Sequence, residues 1–351
     1  MSQIFFDARY IRPTFHDGIS RFSANLFAAL SRLTDVTAII SDEAQLDSLP
    51  AGTRWVKLNA PTSALEPFAA LRLNKHKPSV VFSPMQTIGS LGRRFKLILT
   101  IHDLIYYRHP KPPANLPPLV RLGWRLFHLS YVPERMLLAG CEAVVAVSEA
   151  TAKDIRSNRL TKKPITVVYN APEPSQPSSG RSKPTKSLVY MGTFMSYKNV
   201  ETLIRGVALL DGYRLELLSR ISAERKASLE NLAIEVGADV RFHNGVSDSE
   251  YSNLLNKATA LVSASLDEGF GIPVVEALEH GVPVAISDIE IFHEIADSAG
   301  VYFEPTNPAS FAEAIRSIEK QPYSPAALKV QAAKFNWDAS AKQLLKLIQT
   351  L

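Results

Sequence analysis

One cysteine, Cys141, stands among 351 residues. It excludes an internal disulfide, and with no second thiol it excludes a cysteine-built metal site. No stretch approaches the roughly 18 uncharged apolar residues that a membrane-spanning helix needs. The opening MSQIFFDARY places Asp7 and Arg9 where a secretory leader needs an apolar core. A cytoplasmic chain without a membrane span is therefore expected. Zinc-finger spacing, an aromatic RNA-binding strand and a recognisable reading helix are missing too, which argues against nucleic acid as a partner. Gly269-Phe270-Gly271 lacks the third glycine of a dinucleotide fingerprint.

What is there suits two soluble domains. The chain is 46% apolar with a mean hydropathy of −0.01, enough to bury two cores. Short β-branched runs read as strands at 3–6, 36–40, 80–82, 96–101, 141–147 and 165–169. A second series reads at 188–191, 214–218, 240–242, 258–264, 282–286 and 301–303. Helical patterns fall between them, at 18–30, 148–157, 198–210, 222–236 and 247–258, with a capping box opening the last of these. Further helices read at 291–296, from Asn307 as cap with Pro308 first, and at 337–351. Strand and helix alternation on both sides of a break predicts two doubly wound α/β sheets. That break is 171–187, APEPSQPSSGRSKPTKS, which holds four prolines and no large apolar residue and so reads as a linker.

Charge divides along the same line. Up to Asn170 there are 22 Lys+Arg against 12 Asp+Glu, a net +10, and the remainder holds 17 against 22, a net −5. Residues 108–135 concentrate the excess in Arg108, Lys111, Arg121, Arg125 and Arg135, opposed only by Glu134. A helix predicted over 116–131 carries Leu119, Leu122, Trp124, Leu126, Phe127 and Tyr131. Two readings stay open for it. It lies on an anionic membrane surface, or it packs its apolar side on its own domain.

The stretch 263–288, SASLDEGFGIPVVEALEHGVPVAISD, organises the chemistry. A buried strand delivers a polar loop to a sheet rim, where catalytic loops of α/β proteins sit. Pro273 has the chemistry of a first helical residue, the helix runs to about His280, and Gly281 stops it. Amides around Gly269, Gly271 and Ile272 then stand at the positive end of a helix, a setting for an anion. Glu268 precedes the glycines and Glu276 lies one turn inside the helix. Carboxylates so spread suit a ligand with phosphate in its middle and hydroxyls at both ends, such as a nucleotide sugar.

Glu268-Gly-Phe-Gly-Ile-Pro-Val-Val-Glu276 resembles the E-x7-E motif of retaining glycosyltransferases of family 4. The resemblance extends over most of the chain. It implies a GT-B fold, two facing Rossmann-like doubly wound domains with a cleft between them. The first, acceptor-binding domain spans 1–170 with the helix 337–351 packed back on it, and the donor-binding domain spans 188–336. It further implies a hexosyltransferase acting with retention and without a metal, moving a sugar, with mannose from GDP-mannose favoured, onto a glycan or lipid-linked acceptor. A nucleotide-sugar 2-epimerase and a catalytically silent binding module are the alternatives.

Site roles carry over by motif. Thr100-Ile-His102-Asp-Leu resembles the segment whose histidine reaches a sugar hydroxyl, and Asp17-Gly18 matches the loop that approaches the donor diphosphate. Gly192-Thr193-Phe-Met-Ser-Tyr-Lys198-Asn resembles the phosphate-binding loop, with Lys198 as the charge partner of the leaving group. An arginine frequent in that loop is absent, Thr193 and Tyr197 standing at the nearest positions, and Arg220 is the candidate to stand in. Glu268 with Gly269, Phe270, Gly271 and Ile272 would hold the donor's sugar and phosphates, and Glu276 its ribose. The catalytic set is His102, Lys198 and Glu268. No Asp-x-Asp pair occurs, and neither metal nor separate cofactor is expected, the nucleotide-diphosphate sugar being a substrate.

Overall fold

The computed structural model describes residues 3–13, 17–112, 117–173, 183–321 and 323–351. The chain divides into one unit of Met1–Glu173 with Phe335–Leu351 and a second of Pro174–Lys334. Of the expected linker, 174–182 lie outside the described residues, and Ser187 already belongs to a strand.

In the first unit the strands are β1 (Ile4–Asp7), β2 (Val36–Ile40), β3 (Arg54–Lys57), β4 (Val80–Ser83), β5 (Lys96–Ile101), β6 (Ala143–Ala146) and β7 (Ile165–Val167). All neighbours pair in parallel, in the order β3-β2-β1-β4-β5-β6-β7. Parallel strands are covered on both faces, which is why β4 and β6 are apolar or small throughout and β1 is apolar up to Asp7, all three entirely buried. The edge strand β7 is only half-buried, and β3 departs furthest from this. It is an edge strand, RWVK, with three of its four residues exposed, and the sequence reading missed it. Phe5, Ile39, Val81, Leu97, Leu99 and Val144 form the centre of the core.

The C-terminal helix Trp337–Thr350 belongs to this unit and packs on the helix Gly18–Ser31. Trp337 Nε1 donates to the Pro172 carbonyl at 2.9 Å and Ser340 Oγ to that of Tyr169 at 2.7 Å. The helix predicted over 116–131 is shorter, Pro118–Phe127, with Leu116 outside the described residues, and a second helix that the sequence did not suggest, Val132–Ala139, follows it. Pro133 sits in the first turn of the second, where its missing N–H costs nothing.

The second unit holds β8 (Ser187–Tyr190), β9 (Arg214–Leu217), β10 (Val240–Phe242), β11 (Ala260–Ser263), β12 (Val284–Ser287) and β13 (Gly300–Phe303). They pair in parallel in the order β10-β9-β8-β11-β12-β13. Leu188, Leu203, Leu215, Val262 and Phe311 lie in its core. A helix the sequence reading did not include, Pro325–Ala332, packs on Ile272–Glu279. In both sheets the order reverses beside the first strand, and the crevice at such a reversal is where open α/β sheets take ligands.

Candidate functional site

The second sheet reverses between β8 and β11, and the loops leaving those two strands meet there. Leu266 N donates to the Tyr197 carbonyl at 2.7 Å, tying the loops backbone to backbone. Lys198 Nζ lies 2.5 Å from Glu268 Oε1, and each side chain is only 14% exposed. Ser265 Oγ donates to the same carboxylate oxygen at 2.8 Å, and the Lys198 ammonium sits 5.3 Å from the centre of the Tyr197 ring. A lysine and a glutamate 70 residues apart are thus one ion pair at the rim of the crevice.

Local sequence explains how each partner is held. Gly192 must lack a side chain, since a Cβ there would stand 2.7 Å from the Tyr190 hydroxyl. That hydroxyl donates to the Thr193 carbonyl at 2.5 Å, and Gly192 N donates to Ser219 Oγ at 3.0 Å. Burial, with Glu268 nearby, raises Tyr190 well above the ordinary phenol range and keeps it a neutral donor. Lys198 does not open a helix as expected. It ends a short 3-10 turn, Ser196–Lys198, and Asn199 takes the left-handed conformation (φ 51°) before the helix Val200–Val207. Asparagine tolerates that region, and here its amide donates to the Pro305 carbonyl at 2.6 Å while its oxygen accepts from Thr202.

Gly271 caps the helix Ile272–Glu279 with φ 102°, and a Cβ there would meet the Phe292 ring at 2.9 Å. Pro273 is the second helical residue, not the first, because Ile272 already has helical geometry. Glu276 is buried on this helix, where Tyr251 donates its hydroxyl to Oε2 at 3.0 Å. The two motif glutamates therefore have separate partners, a cation for Glu268 and a phenol for Glu276.

Arg220 is exposed and lies along Gly245. Arg225 instead reaches the phosphate-type loop: its Nε donates to the Phe194 carbonyl at 3.1 Å and its Nη2 lies 2.8 Å from Glu201 Oε1. Tyr251, Ser265 and Arg225 were missed from sequence. Arg225 did carry a signal, three residues after the Ser222 helix cap.

In the first unit, His102 follows β5 and is half-buried. Its Nε2 lies 2.8 Å from the Pro84 carbonyl, which can only accept, so Nε2 carries the proton and Nδ1 is the acceptor. Burial lowers its pKa and favours the neutral ring. Phe22 meets that ring edge-on at 5.1 Å, on the helix that Gly18 begins and Asp17 caps. At the end of β1, Arg9 makes paired bonds to Asp7 (2.7 and 2.9 Å) and to Glu66 (2.7 and 2.9 Å), a buried network that fixes the rim of this sheet. Among the described residues, no group of three or more His, Cys, Asp or Glu is arranged to hold a metal ion. An open cavity of about 650 Å³ lies at the opposite edge of the first sheet, lined by Gln3, Asp35, Arg54 and His76, and contains none of the candidate residues.

Comparison with known proteins agrees with this geometry. The family model for glycosyl transferases group 1 matches residues 173–335, and that for glycosyltransferase family 4 matches 16–176. The O-antigen chain mannosyltransferase RfbU of Salmonella typhimurium is 26% identical over 349 residues, covering 93% of this chain and 94% of the relative. A GDP-mannose:cellobiosyl-diphosphopolyprenol alpha-mannosyltransferase of Komagataeibacter xylinus is 28% identical over 48% of this chain and 46% of its own. Among solved structures, Anabaena HepE in complex with UDP and glucose superposes with a TM-score of 0.73 at 15% identity over 100% of both chains. Sucrose-phosphate synthase from Thermosynechococcus elongatus gives 0.73 at 19% identity over 100% of this chain and 99% of that one. With two parallel Rossmann-like sheets, and two adjoining family models that together run from residue 16 to 335, this chain belongs to the GT-B glycosyltransferases of family 4.

Proposed function

We propose that the protein transfers a hexose, mannose from GDP-mannose, with retention and without a metal ion, onto a glycan or lipid-linked acceptor. The observation that carries this reading is the Lys198–Glu268 pair at the reversal of the second sheet, one turn of chain ahead of the helix that Gly271 caps. A fixed ammonium beside a helix start is a preorganised partner for the charge that grows on a departing diphosphate. The mannosyltransferase names of RfbU and the Komagataeibacter relative support the choice of sugar, and the second of these names GDP-mannose and a diphosphopolyprenol acceptor.

In this reading the bond between the anomeric carbon and the diphosphate oxygen breaks as the acceptor oxygen bonds the same face. The acceptor's proton passes to the departing phosphate oxygen. Lys198 stabilises that oxygen's charge, Glu268 orients donor hydroxyls, Glu276 accepts from the ribose, and neutral His102 accepts a sugar hydroxyl at Nδ1. The deciding experiment has two parts. In a thermal-shift panel GDP should stabilise the protein more than UDP or ADP, by roughly 2.7 kcal/mol at a hundred times its dissociation constant. Transfer from GDP-mannose should then persist in EDTA and give an axial mannosidic bond by NMR. Preference for another base, loss of activity in EDTA or an inverted product each overturns the corresponding part. Conversion of donor to its 2-epimer with no acceptor present would favour the epimerase.

A further inference from the structure

The helix Pro118–Phe127 has no buried residue. Its inner side rests on an aromatic stack, Trp124 lying 4.1 Å from His128 and 5.0 Å from Tyr106 between ring centres. Its outer side carries Leu119, Leu122 and Leu126, spaced so that all three share one stripe. Leu119 is 83% exposed, and Leu129 (77%) and Met136 (73%) continue the apolar surface beyond the helix end. Single exposed leucines are ordinary, but a run of them on one stripe marks a surface with an occupant.

Charge says what that occupant is. Arg121 and Arg125 flank the leucine stripe, and neither is paired with an acid among the described residues. Arg108 is engaged with Asp154 at 2.7 Å, and Arg135 donates to the Asn158 and Arg159 carbonyls. The one acid of the segment, Glu134, is buried beneath it. The exposed rim around the leucines is thus positive only. A second copy of this chain would set like charges against each other, whereas an anionic bilayer offers hydrocarbon for the leucines and phosphate for the arginines at the same depth.

We propose that Leu119, Leu122, Leu126 and Leu129, with Arg121 and Arg125, form a reversible docking surface for an anionic membrane. The surface complements the lipid-linked acceptor of the proposed function but stands without it. The test is co-sedimentation of the full chain with vesicles of phosphatidylcholine alone or mixed with phosphatidylglycerol. Wild type should pellet with the mixed vesicles only and be released at high salt, where screening shortens the reach of charge to about 3 Å at 1 M. Arg121→Glu with Arg125→Glu should weaken partition on the order of 25-fold or more, about fivefold for each lost contact. Leu119→Ser with Leu122→Ser and Leu126→Ser should abolish it, while GDP still stabilises both variants and transfer to a water-soluble acceptor is unchanged. Failure of wild type to pellet, or pelleting indifferent to both variants, overturns the proposal. A dimer in gel filtration that the serine variant dissolves would assign the surface to a second copy instead. Loss of nucleotide stabilisation in wild type would count against the donor reading alone.

Discussion

Replacing Glu268 by glutamine should tighten nucleotide diphosphate binding while it lowers turnover. Lys198 Nζ already has a carboxylate oxygen at 2.5 Å. A phosphate oxygen bound to the same ammonium, at about 2.8 Å on its far side, stands roughly 5 to 6 Å from that carboxylate. Two unit charges so placed repel by about 3 kcal/mol at an effective dielectric constant of about 20. Both side chains are only 14% exposed, so solvent removes part of this and not all of it. Glutamine keeps the shape and drops the charge. We expect GDP to bind about 1 to 3 kcal/mol more tightly to Glu268→Gln, roughly 5- to 150-fold in Kd. Transfer should fall, because an amide orients sugar hydroxyls less well than a carboxylate. Isothermal titration with GDP at low and moderate salt reads the first effect, and initial rates with saturating donor read the second. An unchanged or weakened Kd would refute the argument, because it would mean that the carboxylate is not set against the phosphate at all.

Lys198→Ala should lower the transfer rate on the order of 10² or more with the fold intact, since it removes the preorganised cation, and circular dichroism with stopped-assay rates checks both halves. Glu276→Ala should weaken GDP binding by about 1 to 3 kcal/mol, and Tyr251→Phe by less, as it removes a neutral donor to Glu276 and leaves the carboxylate in place; calorimetry ranks the two. Glu134 gives a prediction in pH. It is 1% exposed, one of its oxygens has no hydrogen-bond partner, and burial pushes its carboxyl up to about 7, the Tyr107 hydroxyl pulling weakly the other way. The folded protein therefore holds this proton where the unfolded chain has lost it. Stability is unaffected by the group below the unfolded value near 4.5, falls as pH rises through the interval to about 7, and has then lost about 3 kcal/mol. Glu134→Gln should be free of that slope, gaining on wild type in urea melts at pH 8 and not at pH 5.

Much of this was legible in the sequence, and the parts that were not have physical reasons. Buried parallel strands such as Val80–Ser83 and Ala143–Ala146 announce themselves as apolar runs, because both faces are covered. The edge strand Arg54–Lys57 has little to bury and carries no such pattern. The apolar spacing ran on to Tyr131 and concealed both the end of one helix at Phe127 and the new start that Pro133 marks just beyond. The E-x7-E spacing and the lysine loop were readable because each is local. Their meeting was not, since 70 residues separate Lys198 from Glu268 and only the sheet order brings them together. Read from sequence, Glu268 simply joins the glycines in holding the donor; the observed ion pair with Lys198 is what sets its charge against the diphosphate. Tyr251 lay in a helix recognised only for its capping box, and its reach to Glu276 depends on how two helices pack.

The C-terminal helix has a consequence for how the chain is assembled and how it can vary. Trp337 meets Phe22 with ring centres 5.9 Å apart, and Phe22 in turn walls the His102 ring. The unit carrying His102 is thus closed by contacts that span 165 and 171 positions of sequence. To the first unit, the whole second unit is a loop held shut at its neck. Closing a loop twice as long costs only about 0.6 kcal/mol more, so residues can be added to the second unit at almost no expense to the first. Removing the 14-residue helix is a different matter. A chain ending at Lys334 would keep the thirteen described strands and still lose Trp337, the ring that backs the Phe22 wall of its histidine.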